Sequence, residues 1–312
     1  SGLKVSQIAI GSCTNSSYAD LYRAGKIIEG KKAASSLSLG VAPGSRDVFD
    51  KIIEDGTLSR LVHFGARIFE SACGFCIGNH FSPASEGVSL RTNNRNFEGR
   101  SGTKDAQVYL VSPETAAASA ITGVITDPTS LSMDEIAVPE QKEQKYNDNL
   151  FIFPNSDTKK GKILRGPNIG EPPACEPLKD RLEACVTIKV GDKITTDHIM
   201  PAGARLKYRS NIPKYSSFVF EPVDASFSIR AKKNRDDGLA NIIVAGQSYG
   251  QGSSREHAAI CPMYLGVKAV MALSIERIHQ ANLCNFGILP LTFMNENDYM
   301  ILKQDDRLLI TD

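Results

Sequence analysis

Val5-Ser6-Gln7-Ile8-Ala9-Ile10 runs into Gly11-Ser12-Cys13-Thr14-Asn15-Ser16-Ser17, and from Ser17 to Gly30 the apolar residues Leu21, Ala24, Ile27 and Ile28 recur at helical spacing. A β-branched run, a small polar turn and an amphipathic stretch, in that order, open a βαβ unit. This predicts a mostly parallel sheet, because strands joined through a crossover helix pair in parallel. It also places the Cys13 thiol at the carboxyl edge of that sheet, where open α/β folds bind ligands. The adjoining helix N-terminus favours thiolate, the form that ligates metal.

The same rhythm continues outward. Further strands are predicted at Leu37–Val41, Leu61–Phe64 and Gln107–Val111, and a helix over Ser45 to Asp55 through Val48, Phe49, Ile52 and Ile53. Ser112-Pro113-Glu114 opens an Ala-rich run that stops at Gly123, with a cap and proline at the start and glycine past the end. From Asp127 to about Glu183 periodicity collapses, broken by Pro154, Pro167, Pro172, Pro173 and Pro177, as in a surface linker. Alternation resumes with strands at Ala184–Val190, Ile242–Ala245 and Lys268–Leu273 and helices from Ser254 and over Ile275–Asn282. The expected organisation is an α/β domain over 1–135, a linker over 136–183 and a second α/β domain over 184–312.

Composition narrows the function. Thirty-six basic against 35 acidic residues give a formal charge of +1. That excludes a main role in neutralising phosphates or sitting on an anionic membrane. No apolar run reaches the roughly 18 residues of a membrane helix, and Ser1-Gly2-Leu3-Lys4 carries no apolar signal core. Seven cysteines, an odd number in a long chain, suit reduced thiols or metal ligation better than a disulfide framework. The expected location is the reducing cytoplasm.

Four segments carry chemistry. Cys73-Gly74-Phe75-Cys76 is a C-x-x-C that could be a redox pair, half a zinc site with His80 as a further ligand, part of an iron–sulfur site, or two buried thiols. Asn94-Arg95-Asn96-Phe97-Glu98-Gly99-Arg100 sets two guanidinium groups five residues apart, either carboxylate ligands or solvated surface charges. Thr195-Thr196-Asp197-His198 precedes Lys207-Tyr208-Arg209; the Asp-His pair suits acid–base work or a simple turn cap. Gly246-Gln247-Ser248-Tyr249-Gly250-Gln251-Gly252-Ser253-Ser254-Arg255-Glu256-His257 links a buried strand to a helix. Ser253 with Glu256 matches a capping box, while a serine oxygen at a helix N-terminus beside Arg255 could stabilise an alkoxide or bind a carboxylate. His63, Cys175, Cys185, Cys261, Cys284 and His279 read as structural.

Taken in order, the segments around Cys13, Cys73/Cys76, Asn94–Arg100, Thr196-Asp197-His198-Ile199 and Gly250–His257 resemble the aconitase family of iron–sulfur hydro-lyases, over nearly the whole chain. The resemblance implies part of a three-layer α/β/α cluster-bearing domain, a linker and a mobile swivel domain. It implies a [4Fe–4S] cluster on Cys13, Cys73 and Cys76 whose remaining iron binds substrate. It implies Ser253 as the base that removes a proton α to a carboxylate, and Asp197, paired with His198, as an active-site acid. Asn94, Arg95, Arg100, Arg209, Ser254 and Arg255 are then substrate-binding residues. With both parts on one chain and Arg209 present, citrate–isocitrate interconversion through cis-aconitate is favoured over isopropylmalate; homocitrate is the nearer alternative. Some relatives bind RNA on losing the cluster, which the near-zero charge disfavours here as a main role. Whole family members carry further domains before the Cys13 motif. The non-Met start and abrupt ends therefore lead us to expect a fragment, inactive without those N-terminal domains.

Overall fold

In a computed structural model of the chain, residues 2–140, 148–149, 151–154, 163–252 and 254–311 are described. The chain divides into two units, Ser1–Asn155 and Ser156–Asp312, a division that falls inside the predicted 136–183 linker. Among the described residues no helix is long and apolar enough to cross a membrane.

Strand alternation builds the first unit. In β1 (Gln7–Gly11), Ile8 and Ile10 belong to one apolar cluster, while Ala9 belongs to another on the opposite face. β1 pairs in parallel with β2 (Ser38–Ala42) on one side and β4 (Val88–Arg91) on the other. β3 (Arg67–Ile68) and β5 (Gln107–Leu110) extend the sheet to the order β3-β2-β1-β4-β5, parallel throughout. On the Ile8/Ile10 face pack α1 (Tyr18–Ile28), α2 (Arg46–Glu54), α3 (Thr57–Phe64) and α4 (Pro113–Thr122). Leu21, Ile52, Leu61 and Ala116 are fully buried there, and truncating Leu21 or Leu61 to Ala costs about 2–5 kcal/mol. Ser17, Ser45 and Ser112 cap α1, α2 and α4 through their side chains, as their positions in the sequence predict.

One expectation fails here, and one strand was not foreseen. Leu61–Phe64 is not a strand but the end of α3. Left-handed Gly56 and Gly65 bracket that helix, and Thr57, Leu61 and Phe64 bury one face at i, i+4, i+7. β4 escapes the pattern because Ser89 and Arg91, polar yet buried, break the apolar run. Arg91 is 1% exposed and donates to Gln7 Oε1 at 2.9 Å, Ser89 Oγ at 3.2 Å and the Phe81 carbonyl at 2.8 Å. Burial lowers its pKa to about 10, so it remains a cation at neutral pH.

The second unit repeats the parallel plan with one reversed edge. Its sheet runs β10-β6-β7-β8-β9, from β6 (Leu182–Lys189), β7 (Ala240–Ala245), β8 (Val267–Ala272), β9 (Leu289–Thr292) and β10 (Arg307–Ile310). Only β10 with β6 is antiparallel among these pairs. Ile188, Ile243 and Val270 line one face with Phe220, Phe227 and Leu283; Val186, Ile242 and Val244 line the other. Short helices α5 (Thr196–Ile199) and α6 (Ile212–Tyr215) precede α7 (Phe227–Asp236) and β7; α8 (His257–Tyr264) follows β7, α9 (Arg277–Asn285) follows β8, and α10 (Glu296–Ile301) precedes β10.

His279, on α9, is 2% exposed and lies against the Tyr249 ring, with centroids 5.3 Å apart. Neither ring nitrogen nor the Tyr249 hydroxyl has a hydrogen-bond partner among the described residues. Burial lowers the His279 pKa to about 4, so the imidazole is neutral in the fold. The unfolded chain, titrating near 6.5, binds the extra proton first. Stability from this group is thus complete above about pH 6.5 and falls as pH drops toward 4. Between pH 7.5 and 5 the difference in unfolding free energy between the native chain and His279→Phe should change by about 2 kcal/mol. Urea melts of both proteins at the two pH values measure it, and a constant difference would refute the assignment.

Candidate functional site

The Cys13 turn is set by backbone geometry at the carboxyl end of β1. Gly11 takes φ +107°, and a Cβ there would run into the Ala42 carbonyl oxygen at the end of β2. Ser12 and Asn15 follow with φ of 87° and 52°. The Gly11 N–H donates to Thr92 Oγ1 at 2.8 Å, and Asn15 Nδ2 donates to the Thr92 carbonyl at 2.7 Å. The Ser16 hydroxyl donates back to the Ser12 carbonyl, and Gly44 N–H to the Ser16 carbonyl at 3.1 Å. The turn is therefore tied to the chain just past β2 and β4, with Cys13 exposed at the sheet edge.

Cys73 and Cys76 stand on the loop after β3, with a 3₁₀ turn over Phe75–Ile77. That loop is held from two sides. Gly78 backs against the Ser101 carbonyl so closely that a Cβ would collide, and Arg91 grips the Phe81 carbonyl from the sheet. Cys73 is exposed and Cys76 buried. Arg100, itself buried, donates from Nη2 to Cys76 Sγ at 3.5 Å and lies 5.6 Å from the Phe97 ring centroid. A hydrogen bond from the Cys73 thiol, then the Arg100 charge, holds the Cys76 thiol well below its ordinary range. The same hydrogen bond, reinforced by burial, pushes Cys73 up, and a charge on Cys13 acts in the same direction. All three thiols thus share one electrostatic environment, with Arg100 as a buried counter-charge; Arg100 is not a solvated surface residue. Asn94 is exposed and Arg95 half-buried on the same loop.

Among the described residues no group of three or more His, Cys, Asp or Glu side chains is placed to hold a metal ion.

In the second unit the hub is Arg255. Its Nη2 meets Asp197 Oδ1 at 2.6 Å and Thr196 Oγ1 at 3.4 Å, and its Nη1 donates to the Met200 carbonyl at 3.1 Å. Its Nε is buried without a hydrogen-bond partner among the described residues. The expected Asp197–His198 pairing is not formed. Adjacent residues on a helix project in different directions, and His198 instead folds back as a cap. Its Nδ1 accepts from the Thr195 N–H at 3.1 Å while its own N–H donates to Thr195 Oγ1 at 3.2 Å. The imidazole Nε2 is consequently the protonated nitrogen of the neutral ring.

Ser253 lies outside the described residues, as does its role in the predicted capping box. α8 begins later than expected, at His257, with Glu256 as N-cap and no side-chain cap bond. Ser254 and Arg209 are exposed. Sequence reasoning missed Arg91, Thr92 and Asn15, which fix the thiol loops from below. A charged residue inside a strand of alternating polarity was the available signal for Arg91.

A model described as the aconitase family (aconitate hydratase) matches residues 1–123, and one described as the aconitase C-terminal domain matches residues 192–296. The probable mitochondrial aconitate hydratase of Dictyostelium discoideum is 33% identical over 96% of this chain and 45% of its own length. The mitochondrial homocitrate dehydratase of Saccharomyces cerevisiae is 32% identical over 97% of this chain and 44% of its own. The chain thus spans less than half the length of these curated relatives. The crystal structure of 3-isopropylmalate dehydratase from Methanocaldococcus jannaschii is 31% identical over 42% of this chain and 70% of that one, with a TM-score of 0.33, too loose a superposition to carry an argument.

Asp197 is half-exposed, with 54% of its side-chain surface accessible, and such pairs contribute about 0–1 kcal/mol. Asp197→Asn should therefore leave the unfolding free energy within about 1 kcal/mol of the native chain. A larger loss in a urea melt would show that the pair holds the fold together.

Proposed function

Because this chain belongs to the aconitase family, we propose that it carries the cluster-ligand and swivel portions of a hydro-lyase that interconverts citrate and isocitrate through cis-aconitate. The observation that carries the reading is the group of three thiols at the carboxyl edge of the first sheet, with Arg100 donating to Cys76. In it, Cys13, Cys73 and Cys76 hold a [4Fe–4S] cluster. The buried Nε of Arg100, without a hydrogen-bond partner among the described residues, supplies a donor of the kind that lies beside cluster sulfurs. Bound there, the cluster supplies a Lewis-acidic iron for the substrate hydroxyl and a carboxylate.

The chain's own residues do the rest in this proposal. Arg95, Arg100, Arg209 and Arg255, with Asn94 and Ser254, take the carboxylates; guanidinium groups match them bidentately. Ser253 removes the proton α to a carboxylate, its alkoxide stabilised by the charge of Arg255, two residues on in sequence. Asp197 orients Arg255, and His198, with its proton on Nε2, is a hydrogen-bond donor toward the substrate. Homocitrate is the second substrate reading, favoured by the similar identities to aconitate hydratase and homocitrate dehydratase relatives. The seven free thiols support a reducing compartment, the cytoplasm or an equivalent; the Dictyostelium and yeast relatives are named as mitochondrial. Since more than half of each relative lies outside the matched region, the 312 residues alone are proposed to be inactive, needing those further domains.

Anaerobic reconstitution with ferrous iron and sulfide tests the cluster. The native chain should turn brown and retain about four irons, whereas Cys76→Ser should retain at least tenfold less colour. One bound zinc with no chromophore, or equal iron in both proteins, would sink the proposal.

A further inference from the structure

The segment between α5 and α6 carries Arg209, one of the proposed carboxylate ligands, and a side chain on another element holds it. Arg209 ends a 3₁₀ turn over Gly203–Tyr208, its N–H donating to the Leu206 carbonyl at 3.1 Å. Its own carbonyl oxygen lies 3.0 Å from His257 Nε2. A carbonyl only accepts, so Nε2 carries the proton. His257 is the first residue of α8, two positions after Arg255. Its ring meets the Tyr215 ring edge-on, with centroids 5.4 Å apart, and buried Tyr215 donates its hydroxyl to the Pro201 carbonyl at 3.0 Å. Pro201 directly follows Met200, the residue whose carbonyl Arg255 grips.

We propose that His257 is a positioning residue that couples Arg209 to Arg255, so that the two substrate-binding segments of this unit move as one. The inference rests on the reading of Arg209 and Arg255 as carboxylate ligands. Its physical content is that one hydrogen bond, donated from a helix start, fixes the backbone from which the Arg209 side chain departs. Neighbouring residues have anchors of their own. Arg205 pairs with Glu221 through two hydrogen bonds of 2.7 and 3.0 Å, Asn211 N–H donates to the Tyr208 carbonyl at 2.7 Å, and Gly170 N–H to the Ser210 carbonyl at 2.9 Å. Loss of the His257 bond therefore displaces Arg209 without unfolding the segment.

Two variants separate donor from bulk. His257→Phe keeps a ring against Tyr215 and removes the N–H; His257→Gln restores an amide N–H at a similar reach. In the 312-residue chain, citrate would be titrated while following the arginine Nε–H resonances of Arg209 and Arg255 by NMR, with thermal unfolding recorded for each protein. His257→Phe should weaken the citrate response at Arg209 about five-fold, the worth of one ordinary hydrogen bond, and uncouple it from the response at Arg255. His257→Gln should return to within twofold of the native chain. The ¹⁵N spectrum of native His257 should show the Nε2–H tautomer. Unchanged citrate response in His257→Phe, a Gln variant as weak as Phe, or an Nδ1–H tautomer would overturn the inference while leaving the carboxylate reading intact. No citrate response at Arg209 or Arg255 in the native chain would overturn that reading, and this inference with it.

Discussion

A guanidinium taken out of water needs acceptors for its donors, and in both units that requirement shapes the loops that bear the chemistry. In the first unit Arg91, at the end of β4, finds its acceptors in Gln7, Ser89 and the Phe81 carbonyl. The Phe81 contact draws the loop containing Cys73 and Cys76 onto the face of the sheet that the helices leave open. In the second unit Arg255 reaches the Met200 carbonyl, joining the turn after β7 to the end of α5. The Cys73/Cys76 loop and the short helix bearing Asp197 and His198 are each pinned by an arginine that reaches a backbone carbonyl.

The two arginines differ in what they leave available. Arg91 is spent in the interior on Gln7, Ser89 and the Phe81 carbonyl, and its charge lowers the Cys76 thiol pKa along with that of Arg100. Arg255 instead shares its charge with half-exposed Asp197. Such a pair is worth little in water, so the anchoring of Arg255 rests more on the Met200 and Thr196 oxygens than on Asp197. One guanidinium is therefore a structural charge and the other a charge presented at a surface.

The sequence made legible those parts of the fold in which local periodicity and burial agree. Ser17, Ser45 and Ser112 announce three helices, and the alternation of Val5–Ile10 announces the central strand. Leu61–Phe64 was misread because a four-residue apolar run carries no period of its own; the glycines at 56 and 65 were the better signal. β4 was lost because its buried residues are polar, their partners lying some 80 residues away at Gln7. The site residues were readable as types, but not as pairs. Asp197 and His198 are neighbours in sequence and diverge in space, whereas Asp197 and Arg255, 58 positions apart, meet at 2.6 Å.

That last contrast has a general physical origin. Residues adjacent on a helix point about 100° apart, so sequence adjacency works against a side-chain pair and favours a side-chain-to-backbone cap, which is what His198 makes with Thr195. Partners for a charged side chain must come instead from elements that the topology brings to the same strand edge. In a parallel sheet every strand ends on that edge, and the segments that follow the strands meet there regardless of their distance along the chain. The Cys13 turn after β1 meets Thr92 after β4, and the Arg255 turn after β7 meets the Asp197 segment after β6. The parallel order that the first thirty residues already announce is thus also the reason that the functional groups are so widely dispersed in sequence.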